Sequence, residues 1–420
     1  MRFIYPLMTW LYLAVPPLAV VAVGLVARRT RRARPVHVLI RACTLGAFLG
    51  GIVAFLYLSV GAVKVPFSQI VLAAYLGMSA LCVVYGLNWL LWHGVSWLFR
   101  IDSRTGRGRG QWVQLAAGVV QASILIAVGL PYLGSILVLY RPKVPAPGDP
   151  QTLVDAPFQT VDFPASDGTP LEAWWIPATR NRRTDGRGSV KWGRDTVLLC
   201  HGFGADKGRD LFLAADLIAN GYNVLAIDLR AHGHSGGQFT GFGGIESRDV
   251  LGAVRYLRAN HADQSHRILG LGQGLGAVAL IEAAADPGPD GQAISAIAAY
   301  NPYDNLRDVF TTVAEQHTIR PGQWAFMNAI VPFASAQLGF DLNGVSPAQA
   351  LRALWPRPIL VIGDPLSRDA IYGRSYELFQ SAYQPKYSYW REDTTPADLL
   401  HDKTAALTVR IFFDEEQSIL

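Results

Sequence analysis

Four long apolar stretches occupy the first third of the chain and constrain everything that follows. They run over about 4–27, 38–62, 68–92 and 112–139, each near the ~20 residues that a helix needs to cross a bilayer. The third continues through WLLWHGVSWLF, Trp89 to Phe99, whose tryptophans read as an interfacial extension. A cleaved signal peptide is the alternative for the first stretch. Its apolar run is too long, RRTRRAR follows directly, and no small-residue cleavage site stands out. A permanent four-helix transmembrane region over 1–140 is expected.

The basic residues orient it. Arg28, Arg29, Arg31, Arg32 and Arg34 follow the first stretch, and Arg100, Arg104, Arg107 and Arg109 follow the third. Only Lys64 lies between the second and third. Positive loops stay in the cytoplasm, so the N-terminus and everything after the fourth span are placed outside. The protein is thus expected to be a multi-pass protein of the cell membrane with an extracytoplasmic C-terminal domain. No carboxylate interrupts the spans, and His37 and His93 lie near their ends, which argues against a transporter. The spans suit an anchor or an assembly surface. Membrane lipid is the expected partner, with other membrane protein subunits as a further class.

The formal net charge of +5 reflects arginines bunched near the N-terminus, not a nucleic-acid face. Cys43, Cys82 and Cys200 lie far apart in apolar runs, without zinc spacing or a disulfide framework.

RPKVPAPGDP, Arg141 to Pro150, reads as a stiff linker within 141–157. Over 158–420, strands and helices alternate. Two strands flank a turn at Ser166-Asp167-Gly168, and an arginine-rich loop spans about 180–194. DTVLLCHG then reads as a buried parallel strand. Next come, over about these bounds, helix 209–220, strand 222–228, helix 246–260, strand 266–271, helix 275–285 and strand 293–300. An insertion of about 304–350 precedes strand 358–363, a helix near 370–382, strand 386–391 and a last helix. This order predicts a doubly wound, mostly parallel sheet.

From about residue 158 to 413 the chain resembles the α/β-hydrolase superfamily, in particular membrane-associated serine hydrolases. Asp167-Gly168, Leu171, Trp174 and Pro177 match the opening DG-x-x-L-x-x-W-x-x-P hairpin. His201-Gly202-Phe203-Gly204 follows a strand where such proteins build half of an oxyanion hole. DLRAHGHSGG, Asp228 to Gly237, is similar to D-x-R-G-x-G-x-S, and Glu246 with Asp249 fits E-x-x-D. The resemblance implies an α/β-hydrolase fold whose insertion forms a helical cap, with Phe203 and Leu275 supplying the backbone N–H groups of an oxyanion or ligand site.

The superfamily's nucleophile elbow is G-x-S-x-G. Here it reads Gly272-Gln273-Gly274-Leu275-Gly276, with Gly274 in the serine's place. Gly272-x-Gly274-x-x-Ala277 also fits a dinucleotide fingerprint, but several strand–helix units precede it. Asp286 and Asp290 moreover lie in a proline-glycine loop. No cofactor is therefore expected. Glycine has no atom to attack a carbonyl, and it relieves a backbone strained for any residue with a Cβ.

The other triad positions are irregular too. Leu366 falls at the acid position, with Asp364 and Asp369 beside it, and His401 comes late, near the final helix. Gly274, Asp369 and His401 are thus degenerate equivalents of a triad. His201, His232, His234 and His261 lack a metal pattern, and no metal is expected. Trp174, Trp175 and Trp192 read as packing residues. The expected function is that of a pseudoenzyme, a binding or assembly subunit of a membrane complex without serine-hydrolase activity; the alternative is an active membrane-bound hydrolase of a lipid, ester or peptide with a relocated or non-serine mechanism, with His201, Ser235, Asp369 and His401 as suspects.

Overall fold

The computed structural model describes residues 148–178, 182–184, 190–192, 195–304, 330–365, 375–392 and 396–415, with 135, 139, 143 and 306. All belong to one of the two compact units of the chain, Gly134–Leu420. The expected spans lie outside the described residues, apart from Ser135 and Leu139 at the end of the fourth. No helix among the described residues is long and apolar enough to cross a membrane.

The main sheet has eight strands: β1 (Gln159–Pro164), β2 (Pro170–Ile176), β5 (Asp195–Cys200), β6 (Asn223–Ile227), β7 (Arg267–Gln273), β8 (Ile294–Tyr300), β9 (Ile359–Gly363) and β10 (Lys386–Trp390). Their spatial order is β1-β2-β6-β5-β7-β8-β9-β10. β1 and β2 form the expected antiparallel hairpin, β2 runs antiparallel to β6, and the remaining pairs are parallel. β5 and β6 are buried along their whole length, as strands covered on both faces must be.

Helices cover both faces. α3 (Ser247–Asn260), α4 (Leu275–Ala284), α6 (Pro347–Ala353) and α7 (Ser375–Ser381) pack one side, with Val254, Leu257, Leu280, Leu351 and Leu378 in its core. α2 (Ala215–Ala219), α8 (Pro396–Leu400) and α9 (Lys403–Glu415) pack the other through Leu217, Leu399, Val409 and Phe413. α4 is apolar almost all round because it lies between the sheet, α3 and α6. The doubly wound architecture follows.

Three local features differ from the sequence-based expectation. The arginine-rich loop contains a second hairpin, β3 (Arg182–Thr184) with β4 (Val190–Trp192), paired antiparallel. The end of the linker is not extended: Asp149 caps α1 (Pro150–Val154) through a reciprocal capping box with Thr152. The helix expected over 209–220 is a 3-10 turn, Leu211–Ala214, followed by the short α2.

Chain order reverses on either side of β5: β6 lies on one flank and β7 on the other. Crevices form at the carboxyl ends of strands at such a switch point. Cys200 of β5 stands opposite Gly272 of β7 there, so His201-Gly202-Phe203 and Gly272-Gln273-Gly274 emerge side by side.

Candidate functional site

Gly274 joins β7 to α4 with φ 49° and ψ −108°, a conformation open to glycine and costly for most residues. Its N–H donates to Tyr300 O at 2.8 Å and its carbonyl accepts from Val278 N–H at 3.0 Å. The flanking glycines are needed for a different reason. A Cβ on Gly276 would stand 2.2 Å from Cys200 O, and one on Gly272 would stand 2.6 Å from Ala277 N. A Cβ on Gly274 would meet nothing within 4 Å. The sharp turn is therefore complete, and the position that faces open space has no side chain. Leu275, the first residue of α4, donates its N–H to no acceptor among the described residues, as expected in a helix's first turn.

The facing loop is tied down by its neighbours. Gly202 N–H donates to Asp210 Oδ2 at 2.8 Å, and Gly204 N–H donates to His232 Nε2 at 3.3 Å. Burial pushes the Asp210 carboxyl up to about 6, against the pull of the Gly202 N–H. His201 is fully buried; its Nδ1 donates to Gly202 O, and its Nε2 accepts from Leu229 N–H at 3.1 Å. Burial first, and His232 second, push its pKa down to about 3. His232 likewise donates from Nδ1 to Arg230 O at 2.9 Å. Both rings prop backbone groups, with their nitrogens engaged. Ser235 is no better placed for chemistry: its hydroxyl donates to Asp228 O at 2.5 Å and accepts from Glu172 N–H at 2.9 Å.

An apolar cluster lies against the first turn of α4. Val278 packs there with Phe242, Tyr303, Leu306 and Ala334, the last on helix α5 (330–338). Phe203 stacks on Phe242 with ring centres 5.2 Å apart. Tyr303 Oη donates to Phe242 O at 2.6 Å. Part of the expected cap thus meets the elbow helix through packed side chains; 307–329, with Trp324 and Phe326, lies outside the described residues.

The quoted motifs meet in a charged frame beside this crevice. Arg230 donates to Asp249 Oδ1 at 2.6 and 2.9 Å and to Asp167 at 2.8 and 3.1 Å. One guanidinium therefore binds the hairpin, the rim loop and α3 together. Glu246 accepts from Thr240 Oγ1, Gly241 N–H and Gly243 N–H at 2.7–2.8 Å, fixing the loop that leads into α3. Lys207 was not singled out by sequence. Its buried ammonium donates to Asp228 at 2.5 Å and to Glu172 at 2.7 Å, and stands 4.8 Å from the centre of the Trp174 ring. Glu172, Asp228 and His234 bring ligand-type atoms within 4.8 Å of one another, but the Lys207 ammonium already bridges the two carboxylates. The adjacent Trp174 and Trp175 are core residues, as their sequence context suggests; the Trp192 side chain lies outside the described part.

Among the described residues, His401 is hydrogen-bonded to no carboxylate. His401 is exposed, and its ring stacks on Phe212 at 4.3 Å. The carboxylate next to it, Asp402, accepts instead from Tyr389 Oη and Arg391, each at 2.9 Å. Asp369 and Leu366 lie outside the described residues. Asp364 is buried at the end of β9.

Residues 193–321 match a family model described as serine aminopeptidase, S33. No curated protein matches the chain. Two crystal forms of an esterase from Pyrococcus furiosus share 20% and 21% identity with it, at TM-scores of 0.50 and 0.51. Each covers 66% of this chain, and 99% and 98% of the esterase. An α/β hydrolase from a Penicillium species is similar over 62% of this chain and 98% of its own, at 16% identity and a TM-score of 0.46. The likeness to the esterase, the strand order and the elbow between β7 and α4 agree that the fold of this chain is that of the α/β hydrolases.

Proposed function

We propose that this protein is an extracytoplasmic α/β-hydrolase-fold domain anchored in the cell membrane by four N-terminal spans. It serves as a binding or assembly subunit of a membrane complex and does not hydrolyse substrates through a serine. Gly274 carries this reading: the elbow geometry is intact, the Cβ position is open, and no nucleophile is there. Removing a nucleophile of this kind costs on the order of 10⁶ in rate. Two further observations support the reading. His201 and His232 hold backbone groups, and His401 stacks on Phe212. The anchor is supported by the four apolar stretches and their arginine-rich loops. The Leu275 N–H offers a donor for a bound carbonyl or anion.

The test is fluorophosphonate labelling of the detergent-solubilised full chain, with site mapping, beside a Gly274→Ser variant. The native chain is expected to take no label. A native chain labelled at one residue, with ester turnover lost on changing that residue, overturns the reading in favour of an active lipid, ester or peptide hydrolase with a relocated nucleophile. Labelling of the serine variant alone means that a base and an open pocket remain. Retention of the chain in membranes at alkaline pH checks the anchor separately.

A further inference from the structure

Two margins of the domain are treated differently. Beside the elbow helix the chain covers itself: Leu139 is fully buried against Phe242 and Val278, and Gln337 Nε2 donates to Ser135 Oγ at 2.6 Å. At the end of the sheet, β10 is left open. Its neighbour β9 is buried along its whole length, yet none of the five residues of β10 is buried, and Tyr387 is 40% exposed. Among the described residues no strand lies beyond it.

β10 also lacks the devices that blunt an edge. Charges, prolines and bulges normally keep an exposed strand from pairing. The opposite edge has two of them: β1 carries Asp162 and ends at Pro164, which has no N–H to donate. β10, KYSYW, pairs with β9 over five consecutive residues without a register shift. Its single charge is turned away. Lys386 Nζ donates to Phe379 O at 3.0 Å and Gln380 O at 3.3 Å, and stands 4.6 Å from the centre of the Phe379 ring.

The backbone decides which strand fits there. Arg391 N–H donates to Gly363 O at 3.1 Å, and Pro385 O accepts from Ile359 N–H at 3.4 Å. Odd-numbered residues thus turn their backbone groups to β9, and Lys386, Ser388 and Trp390 turn theirs outward. We propose that β10 pairs antiparallel with β10 of a second copy of this chain, about a twofold axis at Ser388. Ser388 then meets its own counterpart, Tyr387 meets Tyr389, and Lys386 meets Trp390, so the strand is its own complement. Aromatic pairs and a cation over an indole are favourable across strands, and no like charges stand opposite one another within the strand. This register uses all five residues. A slide by a pair of residues loses contacts, and an odd slide sets outward groups against inward ones. The rings on both faces of the strand are already packed in place: Tyr387 is edge-on to Phe412 with centres 5.6 Å apart, and Trp390 is edge-on to Tyr376 at 5.6 Å and to Phe379 at 5.7 Å. Pairing at β10 goes beyond the binding-subunit reading above and does not depend on it.

The full chain in detergent is tested as wild type, Ser388→Lys and Ser388→Cys, with Asp162→Cys as the control on the other edge. Ser388 and Asp162 are exposed, so these variants are expected to fold. By light scattering, wild type should have the protein mass of two chains. Ser388→Lys sets like charges face to face and should have the mass of one. Under mild oxidation, Ser388→Cys should give a covalent dimer at a yield well above wild type and Asp162→Cys. Directly opposed, hydrogen-bonded residues have Cα atoms about 5.5 Å apart, within the reach of a disulfide. A monomeric wild type overturns the proposal and leaves the edge to a strand of a different protein. A Ser388→Lys chain that keeps the mass of wild type places the interface elsewhere and overturns it too. Should Ser388→Lys not fold, the cross-link decides: a yield no better than the controls overturns the proposal. Fluorophosphonate labelling of the native chain would sink the non-hydrolase reading and leave mass and cross-link as they are, so the two failures are distinguishable.

Discussion

The elbow and the charged frame beside it keep opposite halves of a catalytic architecture. At the elbow, the backbone is intact: Gly272 and Gly276 allow β5, β7 and α4 to approach, Gly274 adopts φ 49°, and no side chain is left to react. In the frame the side chains are intact, and they act on structure: Arg230 binds Asp249 and Asp167, and Lys207 binds Asp228 and Glu172. The side chains of a motif can thus serve packing independently of any chemistry beside them. Breaking a buried ion pair leaves an uncompensated charge, whereas removing a hydroxyl that faces open space leaves the fold untouched.

The sharpest way to break this comparison is Gly276→Ala. Its Cβ would meet Cys200 O and His201 O, backbone atoms that cannot swing aside, so the folded yield should collapse, with a penalty above about 4 kcal/mol. A variant that unfolds in urea like wild type would refute the close approach. Arg230→Ala comes next, at about 3–5 kcal/mol. Burial pushes the Asp249 carboxyl up, against the pull of Arg230. A carboxyl raised in the folded state gains stability as pH falls, so the loss in the variant should shrink toward acid; a loss independent of pH would show that Asp249 is not left charged. Gly274→Ser should cost only about 1–3 kcal/mol, from its strained backbone alone, and circular dichroism should be unchanged.

The smallest effect concerns the charge on the elbow helix itself. Burial pushes Glu282 up to about 7, partly offset by the Ser346 N–H it accepts at 2.9 Å. Folding takes up a proton at Glu282 between the ordinary carboxylate range and about pH 7, so this contribution declines as pH rises through that window. Glu282→Gln should flatten the corresponding slope in urea midpoints between pH 5 and 8. An unchanged slope would assign it to another group, Asp210 being the first to examine.

Much of this was legible in the sequence because it is local. Alternating apolar runs and their turns place β5 to β10, and Gly274 is visible from spacing alone. What escaped depends on distant partners. Lys207 lies in GADKGRD, and nothing in that stretch marks a cation whose carboxylates stand 21 and 35 positions away. The hairpin of β3 and β4 has three residues per strand, too few for a period to emerge from an arginine-rich background. Leu139 escaped for a different reason. An apolar run reads the same whether lipid or protein will cover it, and only the contacts of Ser135 and Leu139 assign these residues to the domain.

That contact also has a consequence in time. Ser135 and Gln337 are separated by 202 positions, and at the usual ~5–20 residues per second of synthesis the contact is completed roughly 10–40 s after Ser135 has been made. During that interval Ser135 and Leu139 lack the cap residues they meet in the folded chain. Fastening the stretch around Ser135 to the cap is therefore a late act of biogenesis, completed only when the far end of the domain has been made.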